Sequence, residues 1–122
     1  MRIGAFRKTA RRALAGLPAE FQPYVQDCVL VVQRRPSPRL LAEMEVPEDE
    51  DLFAVYEGPA LTERTHEDPP ELPPRIILFY EPLLDACETE KELIHEIQVT
   101  VLHEIGHHFG LDEQRLDELG FG

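Results

Sequence analysis

The chain has 122 residues, 43% hydrophobic and 30% charged, with a net charge of −12, which predicts one domain spanning 1–122 around a modest core. No run approaches the roughly 20 apolar residues that cross a bilayer, and the basic start lacks the apolar segment of a secretory signal, so a cytoplasmic protein is expected. So strong an acid excess repels phosphate backbones and argues against nucleic acid as a partner.

The charge is uneven. Arg2, Arg7, Lys8, Arg11 and Arg12 fall within the first nineteen residues, which hold no acid. This basic segment is expected to touch the acidic body of the chain. Ile3, Phe6, Ala10, Ala13 or Leu14, and Leu17 recur at helical spacing, predicting an amphipathic helix over 3–17 that Gly16 and Pro18 close. CVLVVQRRP, Cys28 to Pro36, is β-branched and ends in proline, and reads as a strand. After Pro36-Ser37-Pro38, RLLAEM reads as a short helix. Glu43 to Asp51 then holds six acids in nine residues and reads as a solvated loop.

DLFAVYEG, Asp51 to Gly58, predicts a second strand stopped by Gly58-Pro59. Residues 61–74 hold four prolines and read as a surface loop. RIILFY, Arg75 to Tyr80, is a third strand with an apolar middle, and EPLLDAC leads into a long helix by one or two helical turns. Thr89 and Glu92 are spaced as a capping box at the start of that helix. Ile94, Ile97, Val101, Ile105 and Phe109 give it one apolar face, and Gly110 is where it should end in a left-handed turn. Asp112 to Gly120 predicts a short final helix. Cys28 and Cys87 stand in no metal-ligand spacing and read as two reduced thiols without a function.

The chemistry lies in TVLHEIGHHFGLDE, Thr100 to Glu113. At 100° per residue, His103 and His107 sit within roughly 40° of each other, one turn apart, on the face opposite Ile105. Two imidazoles at this spacing can share one zinc ion. Glu104 is rotated by roughly 100° from His103, beside the metal without being forced to ligate it, where a carboxylate can take a proton from an activated water. The third ligand is then an acid after Gly110: Glu113, six residues past His107, or Asp112, with Asp117 a weaker choice. His108 is rotated away from this pair and reads as packed or supporting, and His95 as an ordinary helix residue. His66 sits in the proline-rich loop, where nothing requires it at the site.

HEIGHHFGLDEQRLDELG, together with VYEGPALTER and LPPRIILFYEPL, resembles the small bacterial zincin-like metallopeptidases, or minimal zincins. The resemblance covers most of the chain. It implies an α+β fold, a small mixed sheet with an N-terminal helix and a long C-terminal active-site helix. It further implies zinc on His103 and His107, Glu104 as general base, a peptide or protein substrate, and a strand at the sheet edge lining the cleft. Relative to the larger zincins with a third histidine, Glu113 stands at the third-ligand position. The methionine turn below the metal has no counterpart, because the two methionines are Met1 and Met44. With nine residues after Glu113, the site is expected to be shallow and open.

A zinc-dependent endopeptidase is therefore the leading function, with Tyr56, Tyr80, Arg64 and His66 as candidate partners of the developing oxyanion. The competing function is a non-catalytic, zinc-stabilised interaction module, which the retained Glu104 disfavours because a structural zinc needs no base. A metal-dependent nuclease is disfavoured by the net charge.

Overall fold

The computed structural model describes residues 1–58 and 73–122. Most of the loop predicted over 61–74, with Arg64 and His66, lies outside the described residues. The secondary elements are α1 (Ile3–Ala15), a 3₁₀ turn (Ala19–Phe21), α2 (Gln22–Val25), β1 (Val29–Gln33), α3 (Pro38–Glu43), β2 (Ala54–Glu57), β3 (Arg75–Phe79), α4 (Tyr80–Ala86), α5 (Glu90–Phe109) and α6 (Glu113–Glu118). The mixture of helices with a small mixed sheet is the α+β class that the sequence implied. None of the described helices is long and apolar enough to cross a membrane.

The strands run in the order β1-β3-β2. β1 lies parallel to β3 with Val31 opposite Ile77, and β2 lies antiparallel to β3 with Val55 opposite the same Ile77. The continuous apolar run of β3 reflects its central place, because both of its faces are covered. Successive side chains alternate between faces. Ile76 and Leu78 join Val32 and Ala54 in the main core, while Ile77 and Phe79 join Val55 in a smaller cluster under Leu40 and Leu52.

The main core lies between the sheet and the helices, with Phe6, Ala10, Ala13, Leu83, Leu93, Ile97, Val101, Leu102 and Ile105 among its members. α1 buries Phe6, Thr9, Ala10 and Ala13. Ile3, on the same predicted stripe, is 44% exposed because it lies at the open end of the helix. The basic segment does meet the acidic body, among the described residues through one ion pair: Arg12 donates to Glu90 at 3.0 Å, tying α1 to the start of α5. Arg34 and Arg35 both donate to Glu81, joining the end of β1 to α4 and holding the Glu81 carboxyl below its ordinary range.

The predicted cap of α5 forms in a displaced version. Thr89 Oγ1 accepts from the Glu92 backbone N–H at 3.1 Å, while the Glu92 carboxylate accepts from the N–H of Glu88, one residue before the cap. The buried face differs from the predicted stripe. Leu93, Ile97, Val101, Leu102, Ile105 and Gly106 are buried, whereas Ile94 and Phe109 are half-buried. These six positions span roughly 220° of the helix, wider than one stripe, because α5 is enclosed from several sides. α1 and β2 pack along it, and Leu111 and Leu116 approach Gly106 from the far side.

Gly110 ends α5 at φ 69°, and the N–H of Leu111 donates to Gly106 O at 3.0 Å, closing the turn that returns the chain as α6. A methyl group on Gly106 would meet Leu111 Cβ at 3.7 Å and Leu116 Cδ1 at 3.8 Å, ordinary packing distances. Gly106→Ala is therefore expected to stabilise the protein by about 0.5–1 kcal/mol through helix propensity. Urea denaturation checks this, and a loss of stability would show that α6 has no room to give.

Candidate active site

His103 and His107 lie on the face of α5 outside its buried arc, while Glu104 shares the direction of Leu93 and Ile97, further along the helix. His107 is open to solvent, and His103 and Glu104 are half-buried. Glu104 is shielded enough that burial pushes its carboxyl pKa up, with His107 and then His103 partly offsetting the rise.

Glu104, His107 and His108 line a shallow depression of about 290 Å³ together with Tyr56 and Met44. Tyr56 comes from β2, which stands at one edge of the sheet formed by the described strands. Met44 is the residue at which α3 ends, just before Glu45 takes a positive φ of 55°. The Tyr56 ring packs on His108 at 4.6 Å and on Phe109 at 5.5 Å between centroids. Burial raises the phenol pKa, with Cys28 a smaller cause. His108 Nε2 is buried without a hydrogen-bond partner among the described residues, so this histidine has an unmet polar atom beside the depression. Tyr80 is elsewhere, against Phe6 at 5.9 Å. Both cysteines are free, and burial with Asp27 nearby raises the Cys28 thiol to about 11.

The acids after Gly110 separate by their local duties. Asp112 caps α6, its Oδ1 accepting from the Gln114 N–H at 2.9 Å. Glu113, the first residue of α6, holds its Oε1 4.0 Å from His107 Nε2, and both side chains are largely exposed. Asp117 lies one turn further along α6 and is exposed. His103 Nε2 is instead 3.0 Å from the main-chain oxygen of Phe121. The structure thus places His107 beside Glu113 and turns His103 toward the segment after α6. Among the described residues, no three His, Cys, Asp or Glu side chains are gathered closely enough to hold a metal ion. Met44 carried no signal in the sequence. His108 could have been noted as lying one turn after Glu104, on the same side of the helix.

A small α+β fold with a His-Glu-x-x-His helix beneath a mixed sheet defines the zincin class. The chain belongs to the zincin-like metallopeptidase family, whose model matches residues 25–122. Among solved structures it is similar to a conserved hypothetical protein from Thermo thermophilus, with 23% identity, a TM-score of 0.54, and coverage of 97% of this chain and 96% of that one. That likeness is one of fold. No curated protein matches the sequence.

Proposed function

We propose that the protein is a zinc-dependent peptidase in which His103, His107 and Glu113 hold the metal and Glu104 is the general base. The observation that carries this reading is the half-buried Glu104, its carboxyl pKa raised by burial, between two histidines one helical turn apart and in a depression walled by the sheet edge. Two imidazoles and a carboxylate suit zinc, which accepts nitrogen and oxygen donors and keeps a further position open in catalytic sites. Glu113 is preferred to Asp112 because the Asp112 carboxylate is engaged in capping α6.

When bound, zinc supplies Lewis acidity that polarises a carbonyl oxygen. The rest of the work falls to the chain's own side chains. Glu104 takes a proton from the attacking water and later returns it to the leaving amine. β2 offers a strand along which an extended peptide can lie, with Met44 and the Tyr56 ring as apolar walls.

Incubation of a mixed peptide library with the zinc-loaded protein tests the proposal. Cleavage is expected, with loss on chelation and recovery on adding zinc back. Cleavage that persists under chelator would sink the metal mechanism, and bound zinc without any cleavage would favour the non-catalytic module instead.

A further inference from the structure

The cations of α1 find little to pair with in their own chain. Arg2, Arg7, Lys8 and Arg11 are exposed, and among the described residues none of them forms an ion pair. Arg7, Lys8, Arg11 and Arg12 span roughly 140° of the helix and so share one face. Arg7 with Arg11, and Lys8 with Arg12, are like charges one turn apart, an arrangement that works against the helix. Beside this face lies a groove of about 470 Å³, lined by Met1, Ala5, Lys8, Thr9, Arg12 and Glu90.

The same chain carries the complement. Glu45, Glu48, Asp49, Glu50 and Asp51 are exposed and form no ion pair among the described residues. Met44, at the head of this run, is 44% exposed. Within one molecule the two patches stand apart. α1 packs on the side of β3 that carries Ile76 and Leu78. Leu40 and Leu52, which bracket the acidic run, pack on the opposite side, with Ile77 and Phe79. The patches also lie at different levels of α5: the groove borders Glu90, whereas Met44 shares the depression with Glu104, about 21 Å further along the helix.

We propose that the basic face of α1 docks residues 43–51 of a second copy of this chain, with Met44 entering the groove among flanking pairs of opposite charge. Opposed charges decide which surfaces meet, and an apolar side chain among them supplies the packed centre of the contact. In about 0.1 M salt, charges more than about 10 Å apart are screened. The net −12 of each copy then counts for little, while charges in contact still attract. Because the two surfaces differ, the contact either forms twice in a two-fold pair or repeats head to tail. Met44 also borders the depression, so a docked copy lies at its rim. The inference stands whether or not the site holds zinc.

Sedimentation equilibrium of the full chain in about 0.1 M salt, over a rising concentration series, tests this. The average mass is expected to rise above that of one chain. Two double variants carry the proof, Lys8→Glu with Arg11→Glu and Glu48→Lys with Asp49→Lys. Each should associate at least about tenfold more weakly than the wild type, since attraction becomes repulsion. Mixing the two should restore association, because the reversed face of one then matches the reversed run of the other. Glu48 and Asp49 lie outside every helix and strand, so that variant decides the matter if the α1 variant does not fold. Met44→Ser should weaken association without altering its dependence on salt. A wild type that keeps the mass of one chain throughout would overturn the proposal, as would reversed variants that associate like the wild type or fail to complement each other. A single-chain wild type that cosediments with phosphatidylserine vesicles would also overturn it, and would give the basic face to a lipid surface instead.

Discussion

Glu104→Gln is expected to lower kcat/KM for peptide hydrolysis by about 10²–10⁴-fold, the usual contribution of a positioned general base, while zinc stays bound. Gln has nearly the same shape and hydrogen-bonding reach but cannot take a proton, so the loss should fall on the chemical step. Stoichiometric zinc by elemental analysis, beside peptide cleavage assays, measures both halves. A variant that cleaves as well as the wild type removes Glu104 from the mechanism. The same substitution probes the cost of holding the base in place. The folded carboxyl titrates above its ordinary value of 4.5 because it is half-buried, so the folded protein holds this proton more tightly than the unfolded chain. The charged form therefore weakens the metal-free fold. That penalty is absent below the unfolded value, sets in as pH rises through it, and is complete above the raised folded value. Metal-free Glu104→Gln should accordingly gain in urea resistance relative to wild type as pH rises through 4.5 and above. A gain in the opposite direction would mean that the carboxylate is stabilised by contacts that outweigh its burial.

Phe6→Ala is expected to cost about 3–5 kcal/mol, the range for truncating a buried aromatic side chain. Phe6 is fully buried in the core cluster that α1 shares with α5. Against a total stability of about 5–15 kcal/mol for an ordinary domain, this is enough to leave the protein barely folded at ambient temperature. Ile3→Ala, on the same sequence stripe but 44% exposed, should change stability by less than about 0.5 kcal/mol. Urea midpoints for the two variants separate the effect of burial from that of helix propensity. Equal losses would mean that α1 does not dock through Phe6.

These two residues show how much of the fold was legible. Both recur at helical spacing, and the periodicity placed them on one face, but a stripe does not reveal where the neighbouring element stops. The same limit applied on α5. The spacing of Ile97, Val101 and Ile105 located its buried side, while Leu93, Leu102 and Gly106 were missed, because the burial of Gly106 follows from the return of Leu111 and Leu116 over the helix. Strand positions were easier to read. The apolar middle of Arg75 to Tyr80 announced a strand, and β3 is the central strand of the described sheet.

In the site, the sequence by itself determined the features that depend on neighbours within about one helical turn: the one-turn spacing of His103 and His107 on α5, the adjacent Glu104, the stop at Gly110, and the resemblance to a zincin. Only the tertiary structure decided the features that depend on chain return. It brought Met44 and Tyr56 to the same depression as Glu104, committed Asp112 to a cap while leaving Glu113 beside His107, and laid Phe121 against His103. The reason is physical. Helix periodicity and caps arise from interactions between residues a few positions apart and leave their pattern in the local sequence. Contacts between α3, β2, α5 and the segment after α6 are set by how buried surfaces fit together, and no short pattern encodes that fit.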